Sequence, residues 1–335
     1  MPITTRGLLL TAVAVASAAL AAQPARGAFP GANGRIVFER PAGDQVDLFT
    51  IQPDGTDERR LTASTRIEEE ATWSPDGRRL AFARSAPGGF PTELWTMNAE
   101  GGDRRRVTRF GSVTTAPSWA PSGDRLLFFT LKDFRPPSED FMPPAEIYSV
   151  GVDGSAPQRL SRDRTVQTDP VLSPDGRTIA HDQWRAVPNR PGVYDMAIHL
   201  RDADGRNPQP LTRLSASRDT FNASWSPDGG QIVFQVVRPR PGHRGGERQS
   251  DLSIINADGT GERRLTFSAA DETNPVWSPD GRLIAFASDL HQPRHEHDVR
   301  KYELYTVAVD GSQVTRLTRN GVPDMKPNWQ PLPTG

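Results

Sequence analysis

Five of the seven tryptophans fall at one position of a long repeat. Trp73, Trp119, Trp225, Trp277 and Trp329 are each followed by one residue and then proline: W-S-P at 73, 225 and 277, W-A-P at 119, W-Q-P at 329. Leu172 takes the same place in L-S-P, and successive positions lie 46, 53, 53, 52 and 52 residues apart. A fixed period of this length predicts a repeat architecture in which each repeat is one supersecondary unit.

Aligned on that position, each repeat holds four short apolar runs. In the unit near Ala71 they are A-T-W-S, R-R-L-A-F-A (78–83), T-E-L-W-T-M (92–97) and R-R-V-T (105–108). The runs are too short for helices and alternate with period two, which predicts strands. Four strands joined as a meander make one blade of a β-propeller. The turns carry their own chemistry. In S-P-D-G, proline presets φ for the first corner, aspartate suits the second, and glycine takes the left-handed position that closes the hairpin. That turn recurs at 74–77, 173–176, 226–229 and 278–281, with A-P-S-G at 120–123. A second glycine turn, such as P-D-G-T at 53–56 or A-D-G-T at 257–260, joins strands three and four. Strand two reads R-I-V-F at 35–38 and R-L-A-F at 79–82; strand four reads R-L-T at 60–62, 264–266 and 316–318. The Trp, Phe and Leu columns are expected to pack between blades. The fourth repeat departs, with Leu172 for Trp and His181 for Phe, so that His181 reads as a satisfied core histidine or as the mark of looser packing.

Counting closes the ring. The first repeat starts at strand two, near Asn33, and the last is followed by an orphan strand, K-P-N-W-Q-P at 326–331. Joined, these fragments make one blade. The expected fold is all-β: a six-bladed β-propeller of four-stranded antiparallel blades over 33–331, closed by the C-terminal strand and without a free sheet edge. Such a closed ring is expected to be monomeric.

Net charge is −1, with 40 basic and 41 acidic residues, so no basic field exists to drive nucleic-acid binding. Residues 1–27 read as an export signal: Arg6 precedes an apolar stretch from Leu8 to Ala22, followed by small residues. That stretch is too short to span a hydrocarbon core of ~30 Å comfortably, and no other segment is apolar enough. Cysteine is absent, which removes disulfides and thiol catalysis. The expected location is therefore periplasmic or extracellular.

W-S-P-D-G-R-x-I-A-F followed by D/E-L-Y, D-G and R-L-T resembles the propeller repeats of the TolB family. It is also similar to the non-catalytic propellers of prolyl-oligopeptidase-type peptidases. The resemblance covers residues 33–331 and implies a propeller that presents a face to protein or peptide partners. TolB carries an N-terminal α/β domain before its propeller, and here the repeats begin a few residues after the leader. Nor is there a G-x-S-x-G nucleophile elbow.

In a four-strand meander the tight glycine turns share one face, and the two–three and four–one loops share the other. The long two–three loops, about 131–145, 183–195, 237–251 and 288–302, crowd that second face, where binding usually resides. The column three residues before each Trp position should ring the channel mouth: Glu70, Ala116, Asp169, Asn222, Asn274 and Lys326. The residues before them include Glu69, Thr115 and Thr168. The candidate partner- or ligand-binding residues are thus Glu70, Thr115, Asp169, Asn222, Asn274 and Lys326. Their mixed polarity suits a small polar ligand, an ion or a peptide end.

Half of the six histidines, His291, His295 and His297, lie in the last long loop beside Glu296 and Asp298, with His243 in the neighbouring repeat's loop. Imidazole and carboxylate are good ligands for divalent transition metals, yet the spacing matches no established site and reads more simply as a solvated loop. The leading functional expectation is an exported binding or scaffold protein with no catalytic residue. The alternative is a metal-dependent propeller enzyme with its site at the channel mouth. Relatives resembling this chain include oligogalacturonate lyases with histidine-rich metal centres. A lactonase-like Ca²⁺ on the axis would take oxygens from Asp169, Asn222, Asn274 and Glu70.

Overall fold

The structure is a computed structural model that describes residues 28–133, 144–163, 165–187, 194–215, 217–239, 248–292 and 301–333. Its strands form six four-stranded antiparallel sheets. Blade 1 pairs the last strand, Met325–Leu332, with Ala32–Pro41, followed by Val46–Ile51 and Arg59–Arg60. Blade 2 runs Glu68–Trp73, Arg79–Ser85, Thr92–Asn98 and Arg105–Arg106. Blade 3 runs Thr114–Trp119, Arg125–Thr130, Glu146–Gly151 and Gln158–Arg159. Blade 4 runs Val166–Leu172, Thr178–Ala186, Tyr194–Asp202 and Gln209–Pro210. Blade 5 runs Asp219–Trp225, Gln231–Pro239, Arg248–Asn256 and Arg263–Arg264. Blade 6 runs Glu272–Trp277, Leu283–Ser288, Glu303–Ala308 and Thr315–Arg316. The first strands of successive blades touch one another in an unbroken circle, blade 6 meeting blade 1 and blade 1 meeting blade 2. Closure by the C-terminal strand is thus as the repeat count requires, with Ile36 opposite Trp329.

Each Trp packs into the blade before its own. Trp73 sits with Val37 and Leu48 of blade 1, Trp119 with Ala81 and Leu94 of blade 2, and Trp225 with Val171 and Ile198 of blade 4. The indole N–H of Trp119 and of Trp225 donates back to the carbonyls of Thr72 and Val171 at 3.1 and 3.3 Å. Leu172 fills the same role against Leu127 and Ile147. The turn prolines do more than preset φ. The glycine that closes each hairpin lies over the proline of the preceding blade, as Gly176 over Pro121 and Gly229 over Pro174. The second glycine turn is tighter still. At Gly101, with φ +84°, a Cβ would stand 2.6 Å from the Leu61 carbonyl oxygen of the previous blade. Glycine is needed there for backbone conformation and for clearance together.

Strand four is shorter than R-L-T suggests. Only two residues pair in each blade, and the threonine turns its hydroxyl to the backbone instead. Thr62, Thr108, Ser161, Thr212, Thr266 and Thr318 each accept the strand-three N–H of Leu48, Leu94, Ile147, Ile198, Leu252 or Leu304, at 2.8–2.9 Å in five blades and 3.0 Å in blade 5. The arginine of the same motif pairs with the acid one residue before that capped N–H: Arg60–Asp47, Arg106–Glu93, Arg159–Glu146, Arg264–Asp251 and Arg316–Glu303. Blade 4 has lost both partners together, with Ala197 and Pro210 in their places. It substitutes another network. His181 is buried, stacks on His199 at 5.9 Å, and accepts the Arg201 Nε–H at 3.0 Å, while Arg201 pairs with Asp163 at 2.8 Å. Burial, then the Arg201 charge, pushes the His181 imidazole well below its usual range, so it is neutral. Of the two sequence readings, the satisfied core histidine is the one the structure shows.

Two of the expected loops are partly strand. In blade 4 pairing continues to Ala186 opposite Tyr194, and in blade 5 to Pro239 opposite Arg248. Residues 183–186, 194–195, 237–239 and 248–251 therefore belong to strands. The cause is continued cross-strand packing, in which Trp184 is buried and meets Tyr194 edge-on at 6.2 Å.

Candidate functional site at the channel mouth

The inner strand of every blade slips register with strand two at one place, near its start. The slips fall between Glu69 and Thr72, Thr115 and Ser118, Thr168 and Val171, Phe221 and Ser224, and Thr273 and Val276. In blade 1 the slip lies opposite Val37 and Glu39, next to Lys326. The residue inside each bulge is non-glycine in the left-handed region: Glu70 (φ 59°), Ala116 (55°), Asp169 (56°), Asn222 (59°), Asn274 (54°) and Lys326 (53°). These are the six residues three before each Trp position. A bulge re-aims a side chain and frees a backbone N–H from the ladder. Left-handed φ costs about 1–2 kcal/mol for residues other than Gly, Asn and Asp, so Glu70, Ala116 and Lys326 are held there by their surroundings.

Three of the freed N–H groups find carboxylates of the preceding blade. Glu70 N–H donates to Glu39 Oε2 at 3.1 Å, Ala116 N–H to Glu70 Oε2 at 2.5 Å, and Asn222 N–H to Asp182 Oδ2 at 3.1 Å. Lys326 Nζ lies 3.1 Å from Glu70 Oε1, 3.2 Å from Glu39 Oε1 and 3.9 Å from Glu69 Oε2. Thr115 donates its hydroxyl to Glu70. Burial works against every charge in this group. For Glu70 it is outweighed by Lys326, Thr115 and the Ala116 N–H, which hold its carboxyl below the ordinary range. Lys326 is likewise held charged by its glutamates, with its ammonium raised above the ordinary range. Glu69 lacks such donors, and burial with its acidic neighbours pushes it up to about 7 in spite of Lys326. Its side chain keeps 30 % exposure, which leaves it the accessible acid of the group.

Around the rest of the ring the chemistry changes blade by blade. At blade 3 Ala116 and Phe129 join Phe221 of blade 5 and Trp184 in an apolar cluster. At blade 4 Asp169 and Asp182 are both fully buried, with the Asp169 carboxyl against the Asp182 carboxyl and the Thr168 hydroxyl. Burial raises both carboxyls well above the usual range, Glu70 adding to it for Asp169 and Asp169 for Asp182. At blade 5 Asn222 Nδ2 donates to Gln235 Oε1 at 2.8 Å, and Thr273 donates to the same oxygen at 2.7 Å. At blade 6 the buried Asn274 amide has no partner at either end.

The structure thus links Glu70, Thr115 and Lys326 in one hydrogen-bonded group and leaves Asp169 and Asn274 outside it. Sequence reading missed the second tier. The residue after the strand-two aromatic column reads Glu39, Ala83, Phe129, Asp182, Gln235 and Ala287, and its polar members reach into the ring of bulges. Aligning that column would have found them.

Of the candidate metal ligands, His291 hydrogen-bonds the Tyr305 hydroxyl at 2.6 Å and stacks on its ring. His295, His297 and His243 lie outside the described residues. Among the described residues no three His, Asp or Glu side chains converge as a metal-binding group. Two small cavities lie off the axis. One of about 300 Å³ in blade 2 is lined by Arg66, Arg84, Trp95 and Arg106. The other, of about 180 Å³ in blade 6, is lined by His291, Lys301, Glu303 and Tyr305. No helix of the described residues is long and apolar enough to cross a membrane.

The fold and its mouth define a class: a closed six-bladed propeller with unrepeated side chains at the channel. Comparison with known proteins narrows it. Residues 15–136 match the family model described as the TolB beta propeller domain. The protein TolB homolog of Chlorobium luteolum is 29 % identical over 143 residues, 43 % of this chain and 28 % of that protein. The Tol-Pal system protein TolB of Anaeromyxobacter dehalogenans is 32 % identical over 132 residues, 39 % of this chain and 26 % of that protein. The matches therefore span about a quarter of these relatives' length. The crystal structure of TolB from Acinetobacter baumannii superposes with a TM-score of 0.68 at 20 % identity, covering 89 % of this chain and 67 % of that one, a likeness of fold. The chain is a TolB-like β-propeller, similar to the propeller part of TolB.

Proposed function

We propose that this protein is an exported binding or scaffold protein whose loop-rich face and channel mouth receive a protein or peptide partner. One observation carries the reading. Backbone geometry at the mouth repeats in all six blades, with a left-handed bulge in each, while the six side chains it presents are nearly all different. Turns, Trp positions and strand-four threonines repeat because they serve packing. A left-handed bulge kept six times with unrepeated side chains, at a cost for Glu70, Ala116 and Lys326, suits recognition rather than folding. The likeness to a Tol-Pal system protein supports a protein partner in the cell envelope, and the leader-like residues 1–27 support export.

The reading is tested by site-specific photo-crosslinking in the native cell envelope. A photoreactive residue at Glu69 should form one discrete adduct with another protein. The same residue at Arg282, on the tight-turn face, should form none. Adducts from Arg282 alone would place the partner on the wrong face for this account.

A further inference from the structure

Strand three places Phe49 of blade 1 and Trp95 of blade 2 at equivalent positions, opposite Phe38 and Phe82. In each blade the arginine two residues further along strand two, Arg40 or Arg84, sits over that ring, at 4.5 and 4.8 Å from its centre. Each also pairs with a buried acid at the start of the inner strand, Asp324 at 2.5 Å and Glu68 at 3.0 Å. The strand-four arginine pairs with the strand-three acid in both, Arg60 with Asp47 and Arg106 with Glu93. The blades part at two places. Blade 1 has Glu58, which holds Arg40 at 2.6 Å, and Val322. Blade 2 has Arg104 in the place of Glu58, 3.5 Å from Glu68, and Arg66 in the place of Val322. Arg40 and Arg60 against Asp47, Glu58 and Asp324 thus become Arg66, Arg84, Arg104 and Arg106 against Glu68 and Glu93, a surplus of two positive charges.

That surplus borders the blade 2 cavity. The space of about 300 Å³ is lined by Arg66, Arg84 and Arg106 together with Pro87, Pro91 and Trp95. The prolines come from the two–three loop, which the Ala86 N–H closes on the Pro91 carbonyl at 2.8 Å. Among the described residues Arg66 pairs with no acid, and its guanidinium makes one long hydrogen bond, to the Ser85 carbonyl at 3.4 Å. Arg84 and Arg106 are each paired but keep 22 % and 37 % side-chain exposure. A guanidinium has five N–H donors in a fixed fork, so one acid does not exhaust it, and that fork matches phosphoryl oxygens two at a time. We propose that this cavity binds a small phosphate monoester, its phosphoryl group on the arginines and its organic part against Trp95 and the two prolines. A phosphoryl group carries about −1.5 to −2 charge at neutral pH, which the surplus of blade 2 balances; a carboxylate would balance half of it. The cavity is roomier than a bare oxyanion needs, and its apolar lining gives the organic part something to cover. This inference is independent of whether a macromolecule docks at the mouth.

The test is titration calorimetry of the purified full chain at low ionic strength, with phenyl phosphate, benzoate and inorganic phosphate as probes. The expected result is one phenyl phosphate bound per chain with a Kd below about 1 mM. Benzoate, with less charge, and inorganic phosphate, which leaves the apolar lining bare, should each bind at least roughly tenfold more weakly. Arg66→Gln and Arg104→Glu, the second restoring the acid of blade 1, should each raise the Kd for phenyl phosphate at least roughly tenfold. Arg282→Glu on the tight-turn face should leave it unchanged. Should Arg104→Glu fail to fold, Arg66→Gln still decides, since that guanidinium gives up one long bond only. No binding of phenyl phosphate would overturn the proposal, and so would binding that Arg66→Gln leaves intact. Benzoate held as tightly as phenyl phosphate would overturn the phosphoryl assignment. Inorganic phosphate held as tightly would overturn the part given to Trp95 and the prolines.

Discussion

Glu272 opens the inner strand of blade 6 with its carboxylate held by two hydroxyls, Ser268 and Thr266, and no cation bonded to it. Burial pushes it up to about 7 from an ordinary 4.5. The folded state therefore holds a proton that the unfolded chain releases first. As pH rises from about 4.5 to about 7, this group removes stability, at most about 3 kcal/mol. Asp169 and Asp182 are raised by burial in the same sense. In Glu272→Gln the decline of Tm with pH across that window should be shallower; an unchanged slope would deny the assignment. His181 gives a second residue-scale test. Replacing it with the Phe of the repeat restores the pattern but strips Arg201 Nε of its acceptor. His181→Phe should cost about 1–3 kcal/mol in urea unfolding, and a neutral or stabilising result would contradict the network. The sequence shows His181 as an exception but not its cause, because its partners stand 18 and 20 residues away, on the next strand.

Among the elements, the hairpins were the most legible. Pro, Asp and Gly fix a turn through their own backbone preferences, and the resulting spacing located the strands. What the spacing could not show was register. The bulges, the threonine caps and the arginine–acid pairs form between residues on different strands, and the pair of motifs D/E-L and R-L-T reads as two patterns until the hairpin brings them together. The extra strand length in blades 4 and 5 was hidden likewise, since polar residues such as Gln183 and Gln249 look like loop until their partners are known. A prediction belongs at this scale. Thr108→Val keeps shape but removes the acceptor for the buried Leu94 N–H, bonded at 2.9 Å, and the hydroxyl donor to Glu93. It should destabilise the protein by about 1–3 kcal/mol, measured by chemical unfolding. A change under about 0.5 kcal/mol would show that the recurrent cap is incidental.

For the whole molecule, closure and the mouth depend on the same C-terminal strand. Met325–Leu332 completes blade 1, buries Trp329 against blade 6, and delivers Lys326 to Glu39 and Glu70. A chain ending near Gly321 should lose cooperative unfolding altogether; one that melts like the full chain would refute the closure. Lys326→Met leaves that closure in place but removes the cation from two buried glutamates, which should cost about 3–5 kcal/mol. Ring count and the mouth column were readable from the repeat, whereas the sorting of the mouth into an ammonium–acid arc, an apolar arc and a buried acid pair was not. The central claim is that a partner docks on the loop-rich face at this mouth. Affinity capture from the envelope fraction tests it most directly, with tagged wild type, Glu69→Arg at the mouth and Arg282→Glu on the tight-turn face, each checked for folding by circular dichroism. The account predicts one envelope protein retained equally by wild type and Arg282→Glu and reduced at least roughly tenfold, about 1.4 kcal/mol, by Glu69→Arg. Equal capture by all three would contradict it.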